Sequence, residues 1–415
     1  MVIDKGYYVL KSRVCIIRLQ SYKKKMKYAS VLQKKCYKIE FSYKIIASKR
    51  FFLYLCIIFR VLQTPQRTIP HMQRLQSIDI LKLFAMFLVL WGHCVQFLLS
   101  SHYLDEPAYI YIYSFHMPLF MMISGMFVHQ QLPSAGDLGK QLLVRARQLL
   151  LPCLAWGVLM SMGNLVQPLL NGTHVDRSLW YTLYWNFWFL KSLFICFALW
   201  YVSYCIFRRR WLALTVSVLV SQFITGWSVQ WMYPSFAIGV LLGGNFDWLQ
   251  THRKPIAAVA LALGGLLLIG WSKEAFLIPS VYRLPELATP ELCSAIGMRM
   301  YRFLVNFALS IGLIALFLGL EQRPANAATA HFASWGKMTL GVYIIHTIFN
   351  IVRERLSPAL LCCDSLNPWL FNIVIAPLLA AVLLLVSLGM TRVLTLLPRL
   401  SFFFLGTPWP KRQSA

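Results

Sequence analysis

The chain has 415 residues, of which 58% are hydrophobic and only 13% are charged. This composition excludes an ordinary soluble globular protein and predicts a protein that crosses a membrane several times. The net charge of +26 does not by itself indicate nucleic-acid binding, because residues 1–70 hold 16 of the 40 Lys and Arg residues and only two acids. The remaining +12 is ordinary for a bacterial inner-membrane protein whose cytoplasmic loops hold the cations.

Residues 1–71 form a basic N-terminal extension without the sustained period of a helix or a strand. No long apolar region leads to a small-residue cleavage site, so a signal peptide is not predicted. Two interpretations remain open, a basic tail on the membrane surface or a protein whose translation starts at Met72, and we favour the second. The membrane domain is expected to cover residues 72–400, followed by a short tail at 401–415.

About ten apolar stretches are long enough to cross a bilayer. They lie at residues 78–99, 109–128, 149–170, 186–207, 211–225, 230–246, 255–272, 302–320, 336–352 and 368–397. Because every backbone polar group in lipid must be hydrogen-bonded internally, segments of this length are expected to be helices. The sequence therefore predicts an all-α, polytopic membrane protein, a bundle of about ten transmembrane helices.

The Lys and Arg residues of the short loops predict that both termini are cytoplasmic, since loops on that side are enriched in them. The cations assigned to this side are Lys140, Arg145, Arg147, Arg208, Arg209, Arg210, Arg253, Lys254, Arg323, Lys337, Lys411 and Arg412. The connection from Lys273 to Met300, on the other side, mixes both signs of charge. It is either a flap that faces a substrate or a plain solvated loop.

Ionisable side chains fall within several predicted spans, where they are costly and usually face the bundle interior or a cavity. In the stretch DILKLFAMFLVLWGH, Lys82 and His93 are eleven residues apart, which is about three helical turns and about 16 Å. Both therefore point to one side of the first helix, and Asp79 lies one turn before Lys82 on that side.

His116, His346 and Lys191 are predicted to reach about the same depth as His93 from three other helices. Any one of them could be a packed polar residue bonded to a neighbouring carbonyl group, but several at one depth favour a functional site. The ten cysteines are scattered. The adjacent pair Cys362 and Cys363 lacks a metal-ligand spacing, so neither a metal site nor a disulfide framework is predicted.

Four stretches resemble, in order and spacing, the membrane-bound acyltransferase-3 family, in particular its fucose 4-O-acetylase-like and surface polysaccharide O-acetyltransferase members. They are DILKLFAMFLVLWGH, SFHMPLFMMISGMFV, WFLKSLFICF and WGKMTLGVYIIH. The likeness covers residues 74 to about 400. It implies about ten helices and transfer of an acetyl or other acyl group from cytoplasmic acyl-CoA to a hydroxyl of an extracytoplasmic glycan or lipid-linked sugar of the cell envelope. The family usually has Arg-x10-His on its first helix, where this chain has Lys82.

Acyl transfer to an alcohol needs a base for the hydroxyl proton and a way to hold the thioester. We expect His93 to act as a neutral base, provided that a hydrogen bond on its other nitrogen sets its tautomer. The further predicted roles are catalysis for His116 and Lys82, binding of the coenzyme A phosphates for Arg145, Arg147 and Lys82, and lining of the substrate path for His346, Lys191 and Asp79. Reaction in a ternary complex and through an acylated enzyme both remain open.

The alternative is a transporter that exports a glycan or lipid-linked precursor and uses the buried His and Lys residues as a proton relay. The sequence contains no inverted or parallel repeat of the kind that many transporters have. The acyltransferase is therefore the favoured interpretation.

Overall fold

The computed structural model describes residues 74–98, 103–128, 137–171, 186–279, 281–322, 326–355 and 367–409. The N-terminal extension, the pair Cys362 and Cys363, and the cations Arg323, Lys411 and Arg412 lie outside these ranges. Throughout the described ranges the regular elements are helices, and no strand occurs. This part of the chain is all-α, as the sequence predicts.

The helices follow one another in chain order. They are α1 Gln76–Leu98, α2 Pro107–Tyr113, α3 His116–Met126, α4 Leu138–Asn171, α5 Trp188–Phe207, α6 Arg210–Gln222, α7 Val229–Gly244, α8 Phe246–Thr251, α9 Arg253–Leu268, α10 Thr289–Phe317, α11 Ala327–Gly336, α12 Thr339–Arg355, α13 Pro368–Thr395 and α14 Pro398–Leu405. Within α13, residues Phe371–Ile375 form a π-helical stretch.

Five helices of the described chain are long and apolar enough to cross a bilayer. They are Gln76–Leu98, Leu138–Met162, Trp188–Phe207, Thr289–Glu321 and Pro368–Thr395. The predicted number of about ten is therefore not confirmed. Four further predicted spans correspond to α6, α7, α9 and α12, which have only 13 to 17 residues.

The predicted span at 109–128 is divided into two short helices, because α2 ends at Tyr113 and α3 begins at His116. Pro118 accounts for the break, since its ring would collide with the carbonyl group of Ser114 in a continuous helix. In the first turn of α3 its missing N–H group costs nothing. The imidazole Nδ1 of His116 lies 2.7 Å from the carbonyl oxygen of Ile112, so this carbonyl group at the break is hydrogen-bonded.

The connection between α9 and α10 is shorter than the predicted 273–300, because α10 already begins at Thr289 with a proline in its first turn. Before it, the chain makes two 3₁₀ turns, Lys273–Ala275 and Val281–Glu286. Lys273 forms an exposed ion pair with Asp105, which precedes α2. The hydrogen bond to Asp105 raises the pKa of Lys273 above its ordinary value.

Helix α1 is the most buried of the five long helices, with 67% of its apolar segment buried, compared with 28% for α4 and for α13. The apolar outer faces of α4 and α13 are therefore the surfaces expected to contact lipid. Short α14 packs against α4, where the indole of Trp156 donates a hydrogen bond of 2.9 Å to the carbonyl oxygen of Phe404. The turn after α14 lies at the end of the bundle at which α1 begins, because it lines the same cavity as Arg74 and Lys82.

Candidate active site

A cavity of about 650 Å³ lies at the end of the bundle where α1 and α12 begin and where α13 ends. Four cationic side chains line it, those of Arg74, Lys82, Arg145 and Lys337, whereas no Asp or Glu is among its described lining residues. We call it the basic cavity. Its deeper wall is apolar and is formed by Met86, Met117, Phe120, Phe189, Leu193 and Tyr343.

Asp79 positions two of these cations without lining the basic cavity itself. Its carboxylate is buried and accepts hydrogen bonds from Arg74 Nε at 2.7 Å and from Lys82 Nζ at 3.4 Å. A methyl group added to Gly336 would lie 1.9 Å from the carbonyl oxygen of Asp79, so the end of α11 packs directly on α1 at this point. The ammonium of Lys82 also lies 5.4 Å from the ring centre of Phe127.

The structure brings Arg145 to the basic cavity but not Arg147. The guanidinium of Arg145 lies 4.1 Å from the ring centre of Phe197 and donates a hydrogen bond of 3.2 Å to the side chain of Gln148. Arg147 is absent from the cavity wall, and its carbonyl oxygen faces Gly406, in the turn after α14. Gly406 has φ +66°, a conformation that residues with a side chain rarely adopt.

The three histidines from α1, α3 and α12 lie together beyond the apolar wall of the cavity. The rings of His93 and His346 are stacked with their centres 5.2 Å apart. The ring of His116 lies 4.6 Å from that of Tyr113, which in turn packs against His93. His116 and His346 are each 2% exposed, whereas His93 is half-buried, so His93 is the most accessible member of this histidine cluster.

Hydrogen bonds set the tautomers of the cluster. Nδ1 of His116 lies 2.7 Å from the carbonyl oxygen of Ile112, and Nδ1 of His346 lies 3.3 Å from that of Val342. Since a carbonyl oxygen only accepts, both Nδ1 atoms carry the hydrogen, which leaves Nε2 with the lone pair of a neutral ring. For His93, Nδ1 lies 3.0 Å from Oε1 of Gln96.

The histidine cluster is one layer away from the basic cavity. Tyr343 lines the cavity, and its ring centre lies 5.3 Å from that of His346. Along α1 the cavity reaches Met86, which is seven residues and about 10 Å before His93. None of the three histidines lines the cavity itself. They lie one layer behind the residues of its deeper wall.

Lys191 is buried in the first turn of α5, two residues after the cavity-lining Phe189. Its ammonium lies 5.2 Å from the ring centre of Trp227. Positive φ angles occur on both sides of this contact, 56° at Phe187 and 48° and 60° at Trp227 and Ser228. Such angles in residues with side chains store strain and tend to occur at functional sites.

Sequence reasoning missed several residues of this region. Arg74 and the turn Leu405–Pro408 line the basic cavity, although nothing local in the sequence signals it. Gln96 could have been found, because it lies three residues after His93 and hence on the same side of α1. Tyr113 could not, because its position follows from the break before α3. Within the described ranges, no three His, Cys, Asp or Glu side chains are arranged to hold a metal ion.

A family model described as an acyltransferase domain matches residues 75–392. The chain is 28% identical over 225 residues to nodulation protein NolL of Mesorhizobium japonicum, a match that covers 48% of this chain and 57% of that protein. It is 23% identical over 223 residues to NolL of Sinorhizobium fredii, covering 48% and 58%. The chain thus spans a little over half the length of these curated relatives. No solved structure matches it.

Proposed function

The chain belongs to the membrane-bound acyltransferase-3 family, and we propose that it is an O-acyltransferase. It moves an acyl group, acetyl in the simplest case, from an acyl-coenzyme A to a hydroxyl group of a glycan or lipid-linked sugar. The donor binds from the cytoplasm, and the acceptor approaches from the other side of the bacterial cytoplasmic membrane. We expect both termini on the donor's side, because loops rich in Lys and Arg favour the cytoplasmic side of the membrane.

The basic cavity is the observation that carries this proposal. Coenzyme A has its negative charge on phosphate groups at one end and an uncharged thioester arm at the other. Four positive charges lie near the start of α1, and the deeper wall of the cavity is apolar. They belong to Arg74, Lys82, Arg145 and Lys337. Guanidinium groups bind phosphate with paired, charge-assisted hydrogen bonds, whereas the Lys82 ammonium acts as a point charge. This division of charge matches the division within the donor.

We expect the thioester end of such a donor to approach the histidine cluster, which lies one layer behind the deeper wall of the basic cavity. In the proposed reaction, Nε2 of neutral His93 takes the proton from the acceptor hydroxyl while that oxygen forms a bond to the acyl carbon. The carbon–sulfur bond then breaks, and the proton on Nε2 passes to the thiolate of coenzyme A. The products are the ester and the free thiol, and His93 is again neutral.

The neighbouring groups support this step in different ways. We expect the buried Lys191, two residues after the cavity-lining Phe189, to line the path of the substrate. His346 stacks on His93 and restricts the positions of its ring. His116 holds the break between α2 and α3 through its hydrogen bond to Ile112. If an acyl-enzyme forms instead, the double-reciprocal rate plots at several acceptor concentrations will be parallel.

The test compares surface polysaccharide from cells of the native host that carry the intact gene, a deletion, or the His93→Ala variant. NMR spectra are recorded before and after mild alkaline de-esterification. We expect alkali-labile acyl signals to disappear in the deletion and to fall strongly in His93→Ala, because loss of a general base lowers the rate of the chemical step about 10²- to 10⁴-fold. His252→Ala, an exposed histidine between α8 and α9, is the matched control and should change nothing.

Normal ester content in the His93→Ala cells would refute the assignment of His93. Unchanged ester content in the deletion, together with an altered amount of polymer at the surface, would refute the acyltransferase and support the transporter.

A further inference from the structure

Gln96 and Tyr113 form a hydrogen-bonded triangle with His93. Nδ1 of His93 lies 3.0 Å from Oε1 of Gln96, and the hydroxyl of Tyr113 lies 3.2 Å from the same oxygen and 3.4 Å from Nδ1. Gln96 is three residues after His93 on α1, whereas Tyr113 is the last residue of α2. Neither residue belongs to the site that the sequence predicts.

The structure orients the Gln96 amide with Oε1 toward the other two groups. With Oε1 facing the other two groups, it accepts a hydrogen bond from the Tyr113 hydroxyl and a second from Nδ1–H of His93. Nε2 of His93 then keeps its lone pair, which a base requires. The reversed amide would donate to Nδ1 and would leave the hydrogen on Nε2, where it blocks proton uptake.

We propose that Gln96, held in place by Tyr113, positions His93 and sets the tautomer in which Nε2 is the base. This role rests on the proposed acyl transfer. Gln96 thus takes the place that a carboxylate has in many histidine-based sites. In the described part of the chain, no Asp or Glu forms a hydrogen bond with His93.

Because no negatively charged group contacts His93 in the described part of the chain, the charge of residue 96 strongly affects the stability of its protonated form. Its titratable neighbours are Tyr113 on α2, His116 on α3 and His346 on α12, and none of them carries a fixed negative charge. A carboxylate at position 96 would stabilise the protonated imidazole ring more strongly than the neutral amide does. Replacing Gln96 by Glu therefore keeps the acceptor and changes only the charge.

The experiment uses the full-length protein in membranes of the native host, from which the chromosomal gene has been deleted. Radiolabelled acetyl-CoA is the donor, and label in alkali-labile ester of the endogenous glycan fraction is measured between pH 5 and 9. The variants are Gln96→Leu, Gln96→Glu and Tyr113→Phe. Tyr111→Phe, an exposed tyrosine on the same helix as Tyr113, is the matched control. The amount of folded protein is determined for each by size-exclusion chromatography in detergent.

We expect Gln96→Leu to lower the rate at saturating acetyl-CoA at least about tenfold, since the base is no longer held in the productive tautomer. The apparent KM for acetyl-CoA should stay within about twofold, because Gln96 does not line the basic cavity. Gln96→Glu should restore most of the rate at high pH, with the acidic limb of its pH profile displaced to higher pH. Tyr113→Phe should lower the rate less than Gln96→Leu, and Tyr111→Phe should not lower it.

Two results would overturn the proposal. One is a normal rate for folded Gln96→Leu. The other is a folded Gln96→Glu protein that is as inactive as Gln96→Leu at every pH. A carboxylate can accept the Nδ1 hydrogen and, unlike an amide, has no NH2 group that could donate to Nδ1 instead. An unaffected Tyr113→Phe rate would remove Tyr113 from the assignment. The proposed function fails separately, if the native protein transfers no label or if His93→Ala transfers it normally.

Discussion

Helices α3 and α7 touch backbone to backbone, and a single added methyl group is expected to force them apart. A Cβ atom at Gly239 would lie 2.0 Å from the carbonyl oxygen of Met122, and one at Gly243 would lie 2.2 Å from that of Met126. From the other side, a Cβ atom at Gly125 would lie 2.1 Å from the carbonyl oxygen of Phe236. Glycines at such positions let membrane helices approach closely.

The cost of Gly239→Ala follows from this distance. Real Cβ atoms essentially never approach another heavy atom closer than 3.0 Å, so a contact at 2.0 Å requires the two backbones to separate locally by about 1 Å. Overpacking of this kind destabilises by about 1–3 kcal/mol, and we expect the upper end because a backbone carbonyl cannot rotate away. Since α3 begins at His116, the shift would also displace the histidine cluster.

Thermal unfolding of the detergent-solubilised protein, followed by size-exclusion chromatography after heating, measures this effect. Gly239→Ala should unfold at a clearly lower temperature than the native protein. Gly265→Ala is the matched control, because its Cβ would have no atom within 4 Å and alanine favours a helix over glycine by about 1 kcal/mol. A Gly239→Ala protein that unfolds at or above the native temperature would refute the close packing of α3 and α7.

Three further outcomes are expected. Arg145→Ala should raise the apparent KM for acetyl-CoA about 10- to 160-fold, as the loss of a charge-assisted phosphate contact of about 1.5–3 kcal/mol predicts, whereas Lys140→Ala, at an exposed position, should not. Arg299→Ala should lower the unfolding temperature, because this buried guanidinium donates to the Pro279 carbonyl at 2.7 Å and lies 4.4 Å from the ring centre of Trp231. Asp105→Asn should leave the unfolding temperature at neutral pH nearly unchanged, because its ion pair with Lys273 is exposed. The raised pKa of Lys273 means that any stabilisation by this pair is present at neutral pH and is lost as the pH rises through that pKa.

The number of spans shows what hydropathy leaves undecided. Residues 230–246 are predicted to cross the membrane, and they form the 16-residue α7, which has 13 buried residues, Pro234 among them. An apolar run has the same composition whether lipid or other helices surround it. Hydropathy alone therefore leaves open which of the apolar stretches cross the bilayer.

The candidate site likewise contains contacts that the sequence predicts and contacts that only the tertiary structure decides. That Lys82 and His93 face one side of α1 follows from the helical repeat, and Gln96 joins them for the same local reason. The stacking of His346 on His93 brings together residues on α12 and α1, and which of their sides meet depends on the rotation of each helix within the bundle. The roles of these residues stay predictions until the variants are measured.

The sequence by itself determined that the chain is helical, apolar enough for a membrane, and a member of the acyltransferase-3 family, because composition and short motifs depend on neighbouring residues only. The tertiary structure decided which cations surround the cavity, since Arg74, Arg145 and Lys337 come from distant parts of the chain. It also decided that Tyr113 contacts His93. Pro118 prevents α2 and α3 from forming one continuous helix, so α2 ends at Tyr113 and the chain changes direction there. Contacts between helices depend on how whole surfaces fit together, and no local stretch of sequence contains that information.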